Sequence, residues 1–395
     1  MRQNEYWIWM GVGVEKSRHS RAHASLRTRL SEQITRALRL PTGADRSPRC
    51  LACHDLDAPL GLRGRSAVVG DGVSCEACHG PSSGWIEPHA KPPARQGPAG
   101  SHPRNLELGM HDAKDPAKRA EKCMSCHVGT AERSVDHELI AAGHPDLEFE
   151  LTAFTANMPP HWAGDRTPRG EVAFWATGQA VQLRERLSRL AGRARKGTWP
   201  EYAELNCTDC HHPLKRAAGS WRQGRAPTGR APGSVSYNLS GYPVLHRLFL
   251  LVAPEAAMAL KSDMDTLGMK MSRVNPDRAG VAATAARAAR RVDAMVGSVK
   301  SATYDDALIH RLLVGISGDG ESVTHQGHGS ALQAAWALDV LVRALATSAE
   351  KAAEPDPRPL LKAILREMFR QLETVSDYDA PRLDQLFLRF NQSVR

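Results

Sequence analysis

Cys50-Leu-Ala-Cys53-His54, Cys75-Glu-Ala-Cys78-His79, Cys123-Met-Ser-Cys126-His127 and Cys207-Thr-Asp-Cys210-His211 are four copies of one pattern, and they take up all 8 cysteines of the chain. Two thiols three positions apart with a His directly behind the second form the signature of covalent haem attachment. The thiols add to the haem vinyl groups and the imidazole becomes the proximal iron ligand. The repeat therefore predicts four haem c groups held by Cys50, Cys53, Cys75, Cys78, Cys123, Cys126, Cys207 and Cys210, with His54, His79, His127 and His211 on the irons. Zinc is the main competitor, because Cys53 and Cys75 stand near a zinc-ribbon spacing. A ribbon has no use for a His after each second Cys, and a disulfide framework leaves the same His unexplained.

At 395 residues the chain has room for two or three domains. With 24% charged and 42% apolar residues it has the composition of a soluble globular protein. The net charge of +9 invites a nucleic-acid reading, yet no binding motif accompanies the arginines. Four haems also carry about eight propionates, which bring the reduced holoprotein close to neutral. The expected partners are redox proteins, not nucleic acid. No run approaches 18 apolar residues, so no transmembrane segment is expected. Covalent haem attachment takes place outside the cytoplasm, while residues 1–10 lack the charged start and apolar core of a signal peptide. The expectation is a periplasmic or otherwise exported protein whose signal has been removed or whose start is truncated.

The pattern of the chain predicts a mainly α fold: a multihaem cytochrome c domain with long irregular loops, followed by a C-terminal helical bundle. Residues 1–216 are expected to form the tetrahaem domain, 217–240 a Gly/Pro/Arg-rich linker, and 241–395 the bundle. Leu26, Leu30, Ile34 and Leu38 recur every four residues and predict one amphipathic helical arm over 1–49. His19 and His23 lie one turn apart on it, His19 being the stronger distal-ligand candidate. Gly80-Pro81 turns the chain away after the second motif. Gly143 and Pro145 break the helix on either side of His144 and pin its imidazole at a chain reversal, where it can serve as a sixth ligand, and His137 stands two turns earlier. Arg-rich residues 184–230 are a possible docking surface for an acidic partner or a solvated face. A helix over 172–195 is expected to lead to the fourth motif, and in the bundle helices are expected over 281–296, 304–315, 330–347, 357–372 and 381–390, with a loop over 317–329. His246, His310, His325 and His328 there read as structural or exposed.

Cys75-Glu-Ala-Cys78-His79-Gly80-Pro81 with a following His89, preceded by a Trp-bearing segment and His19-Ser-Arg-Ala22, resembles the tetrahaem cytochrome c that accepts electrons from hydroxylamine oxidoreductase, and its multihaem relatives. That resemblance implies distal-ligand roles for His89 and His19. Asp136-His137-Glu138, Ala142-Gly143-His144-Pro145 and Cys207 to His212 resemble larger bacterial members of the superfamily. The resemblance spans residues 5–216 and does not cover the bundle. Relatives usually carry another haem motif upstream of the Trp-bearing segment, which here opens the chain at Glu5-Tyr-Trp-Ile-Trp9.

The distal candidates are thus His19, His89, His137 and His144. An electron carrier has every iron saturated, and the chain has 17 His, four of them proximal, with His102 and His161 among the remainder. The alternative is a haem-dependent oxidoreductase of small nitrogen or sulfur compounds, which keeps one iron open and surrounds it with acid–base groups. Electron transfer is the favoured reading. The chain exported with haem-attachment machinery should carry four haems per polypeptide by intact mass and by absorbance of the reduced pyridine adduct. Bound zinc with no haem would contradict this.

Overall fold

The computed structural model describes residues 5–11, 17–56, 58, 60–64, 70–90, 102–162, 166–211, 235–345 and 357–395. The fold is mainly α, and among the described residues the β pairing is a single antiparallel bridge, Leu205 to Tyr237. The chain divides into two compact units, one of Met1–Leu147 with Phe154–Gly164 and the other of Glu148–Ala153 with Asp165–Arg395. The fourth motif falls in the second unit with the C-terminal helices, whereas the sequence grouping places it with the other three. Of the expected linker 217–240, residues up to 234 lie outside the described residues.

Short helices build the first unit: α1 (Glu5–Met10), α2 (Arg29–Ala37), α3 (Pro48–His54), α4 (Cys75–His79), α5 (Ile86–Ala90), α6 (His102–Glu107), α7 (Pro116–His127) and α8 (His137–Ala141). The expected single arm over 1–49 is instead broken into α1, a 3-10 turn at Ala24–Arg27, α2 and a second 3-10 turn at Ala44–Arg46. Thr28 causes one break: its backbone is extended and its hydroxyl accepts from Ser31 N at 3.3 Å, which starts a new helix there. Accordingly Leu26 and Ile34 are buried while Leu30 is 48% exposed. The segment holding His19 crosses residues 72–73, where Val73 N donates to His19 O at 3.0 Å. Gly72, at φ +77°, is required at that crossing, since a Cβ would stand 2.5 Å from His19 O.

The second unit is a helical assembly around α10 (Pro168–Arg195), preceded by α9 (Leu151–Ala156), whose first three residues belong to it. Thr167 caps α10 by accepting from Gly170 N at 3.1 Å, with Pro168 in the first turn. α10 packs along α13 (Arg278–Ser301), which also meets α12 (Pro254–Met271), and α12 follows α11 (Tyr242–Val252) directly. α14 (Asp306–Gly318), α15 (Gly320–His325), α16 (His328–Ala344), α17 (Arg358–Gln371) and α18 (Ala380–Val394) complete it. Trp175, Leu187, Leu190, Leu245, Phe249 and Phe387 are fully buried. Gly178 admits Leu151, whose Cβ would lie 2.7 Å from an added Cβ. Gln182 and Gln333 both donate to Phe149 O at 2.9 Å, so segment 148–153 is pinned to α10 and α16.

The expected loop 317–329 contains α15, because Gly320 has no Cβ and lets Phe387 of α18 close in, to 2.5 Å from where a Cβ would be. His328 and His310 have structural roles, their Nε2 atoms reaching Leu372 O at 2.9 Å and Val394 O at 3.1 Å.

A buried ion cluster ties α10 to the chain just ahead of the fourth motif. Arg189 grips Glu204 with Nε and Nη2 at 2.8 and 2.9 Å, and Arg193 adds Nη1 at 2.6 Å. Burial alone would raise the Glu204 carboxyl, but Arg189 and Arg193 beside it hold it below its ordinary value. With the folded value depressed, its stabilisation is complete above the unfolded carboxylate pKa and is lost as pH falls through the folded one. Glu204→Gln strands two buried guanidiniums and should cost about 3–5 kcal/mol. Thermal denaturation should show a lower midpoint for the variant at neutral pH and a gap that closes in acid; equal midpoints at neutral pH would contradict the assignment.

Candidate haem-binding site

Residues at i, i+3 and i+4 share one face of a helix, so a helical Cys-x-x-Cys-His presents two thiols and an imidazole to the same side. Three motifs achieve this with different supports. α3 starts at Pro48 and ends at His54, with Asp55 extended. α4 is one turn that Gly80 stops at φ +77°, ahead of Pro81, as the sequence predicts. α7 is longer, with Pro116 in its first turn and the Asp115 carboxylate accepting from Ala117 N and Lys118 N at 2.9 and 3.2 Å.

The third motif touches the first two. Arg133 Nη1 donates to Ala52 O, inside the first motif, at 3.0 Å, and Arg49 pairs with Asp136 at 2.5 Å. His111 N, just ahead of α7, donates to His79 O at 2.8 Å. The Cys53 thiol hydrogen-bonds Cys126 and holds its thiol below the ordinary value against the opposing effect of burial. Cys123 is pushed up to about 12, by burial first and by Cys78 beside it second. No disulfide joins any of the eight cysteines. Among the described residues no group of three or more His, Cys, Asp and Glu converges as a metal-ion cage.

Three proximal imidazoles each face a second imidazole. Ring centroids are 6.3 Å apart for His54 and His144, 6.2 Å for His79 and His161, and 6.0 Å for His127 and His19, with planes at 89°, 82° and 68°. Two imidazoles on opposite sides of one metal, with nitrogen at about 2 Å, have centroids roughly 6 Å apart. The residues therefore fit a haem iron held between two histidines. His54 Nδ1 lies 3.0 Å from Ala22 O, His144 Nδ1 2.8 Å from Pro145 O, and His161 Nδ1 3.3 Å from Pro159 O. A carbonyl only accepts, so in each ring Nδ1 carries the proton and Nε2 keeps the lone pair that a metal needs. Burial is the largest cause lowering His79 and His127 to about 4, helped by His161 and His19 respectively. Burial likewise lowers His19, His54 and His161. These rings are neutral at ambient pH.

Of the four expected distal ligands, His19 and His144 stand opposite proximal rings. His89 packs edge-on against Trp85 at 5.8 Å with Asn105 on its Nδ1 at 3.3 Å, and it is His161, not His89, that faces His79. His137 opens α8, capped by the Asp136 carboxylate on Leu139 N at 2.9 Å, and is in none of these three pairs. His161 is the residue the sequence reading left among the spare histidines. Its signal is the rigid setting Pro159-Pro160-His161-Trp162, the same kind of restraint that singles out His144.

The fourth motif is built differently. Cys207–Asp209 is a 3-10 turn, and His211 N closes on Cys207 O at 2.7 Å. Asn206 anchors it, accepting from Thr208 N at 3.3 Å and donating to Gln326 O at 2.9 Å. Asp209 accepts from Ser236 N at 2.7 Å. Gly327, at φ +106°, leaves room for the Asn206 amide, which would crowd a Cβ at 2.5 Å. His212 lies outside the described residues.

The expected docking surface over 184–230 needs correction in its described part. Arg186 and Arg193 are buried, Arg189 and Arg193 hold Glu204, and Arg184 pairs with Glu185 and Asp293, each at 2.7 Å. α10 lies inside its unit along most of its length, and Arg189 and Arg193 turn onto the buried Glu204. Residues 212–234 are outside the described residues.

Two thiols and an imidazole on one helix face, with a second imidazole opposite, are groups that could hold a covalently attached haem. Residues 5–80, which contain the first two motifs and His19, match the family model for cytochrome c554 and c-prime. No curated protein matches the chain, and no solved structure does. The family match supports a haem-based electron-transfer protein with covalently bound haem c and redox partners. No helix among the described residues is long and apolar enough to cross a membrane.

Proposed function

We propose that the chain is an exported multihaem c-type cytochrome that passes electrons between redox partner proteins through four covalently bound haems. The observation that carries the reading is the set of three imidazole pairs at 6.0–6.3 Å. Bound haem c supplies reversible one-electron exchange at its iron. The chain's own residues do the rest. Each Cys pair anchors the macrocycle, and His54, His79, His127 and His211 are the proximal ligands. His144, His161 and His19 are the distal ligands of the first, second and third motifs, while His89 and His137 remain distal candidates by resemblance. The carbonyls of Ala22, Pro145 and Pro159 fix ring orientation and raise ligand basicity.

With three proximal histidines already faced by a second imidazole, no open position is left there for a substrate, which favours a carrier over an oxidoreductase. Bis-imidazole ligation also keeps potentials below those of Met/His sites. The third motif is the common neighbour of the first two, so α7 sets the spacing within the unit. The finer likeness to the acceptor of hydroxylamine oxidoreductase rests on His19, His89 and the Cys75–Pro81 motif.

His161→Ala, His144→Ala and His19→Ala should each convert one low-spin haem to high spin, read by electron paramagnetic resonance, with total haem near four. His102→Ala should change nothing, because His102 is engaged by Asp112 at 3.0 Å. Unchanged spin states in the first three variants would refute the ligand assignment.

A further inference from the structure

The second motif has a neighbour that the ligand set does not use. Arg119 lies on α7 four residues before Cys123 and seven before Cys126, the same helix face as those thiols. Its guanidinium carbon stands 5.0 Å from the centroid of the Trp162 ring, within cation–π range, and its Nε donates to Ala113 O at 2.7 Å. Trp162 meets His161 edge-on at 4.9 Å, and His161 faces His79 at 6.2 Å. A half-buried cation, fixed by an aromatic face and a carbonyl, thus stands one ring behind the distal imidazole of the second motif. Arginine does not lose its proton in proteins, and partial burial limits screening by salt.

We propose that the charge of Arg119 raises the reduction potential of the haem attached at Cys75 and Cys78. The inference rests on the haem reading above. When a donor protein gives up one electron and Fe(III) becomes Fe(II), the charge of the site falls by one. A fixed positive charge nearby opposes the oxidised form more than the reduced form, so the potential rises.

The test is a spectroelectrochemical titration of the holoprotein, with the second-motif haem identified as the one that turns high-spin in His161→Ala. Arg119→Gln should lower the midpoint of that haem, with any change at the third-motif haem smaller and the remaining two within error. Arg119→Lys should restore most of the shift because it keeps the charge. An unmoved midpoint in Arg119→Gln overturns the proposal. So does an equal fall in Arg119→Lys, which would make planar stacking the cause, or a new high-spin haem in Arg119→Gln, which would mean that Arg119 acts only by holding Trp162 and His161 in place. Haem content measured on the same samples separates the two levels. No covalent haem overturns the parent reading and this one with it, whereas four haems with an unmoved midpoint overturn this inference alone.

Discussion

Two imidazoles held opposite each other with their planes crossed, at about the separation that one iron requires, are the constraint around which the N-terminal unit is arranged. A small core of short helices cannot bring His19 to His127, or His161 to His79, by hydrophobic packing alone. Here the backbone does it at specific points: Gly72 allows the crossing that holds the His19 segment, and the carbonyls of Ala22, Pro145 and Pro159 each fix an Nδ1. The thiols on the same helical turns then fix the other side of each site. Burial disfavours the charged form of His19, His54, His79, His127 and His161, and the neutral imidazole is the form that can ligate a metal.

The proximal half of the site was legible in the sequence because its spacing is local. Cys, Cys and His within one helical turn share a face whatever the rest of the chain does. The distal half depends on contacts between residues far apart in sequence, and only restraint near the His gives it away. His144, between Gly143 and Pro145, carries that signal, and so does His161 between Pro160 and Trp162, although the sequence reading did not weigh it. Spacing could not choose between His89 and His161 for the second motif, because both lie in Pro-flanked segments and the choice is made by packing of Trp85, Asn105 and Trp162.

Each unit shows where periodicity or a charge run misleads. Mainly helical structure and most of the helix positions follow from the apolar stripes, but the arm over 1–49 is broken by a capping Thr that a four-residue repeat of Leu and Ile hides. Arg189 and Arg193 of α10 look solvent-directed by composition and are in fact partners of Glu204, which lies three residues ahead of Cys207. Those buried pairs give the fourth motif a rigid base, as Asn206 does from the other side through Gln326. Its turn is 3-10, not α, so the same Cys-x-x-Cys-His spelling is supported by side-chain anchors where the other three motifs use helix caps and glycine or proline stops.

The most direct measurement is anomalous diffraction at the iron edge from crystals of the haem-loaded protein. The account predicts four iron positions, three of them in the N-terminal unit, each between one named pair of rings: His54 with His144, His79 with His161, and His127 with His19. Irons absent from these positions, or bound by the proximal histidine with some other residue opposite, would contradict it.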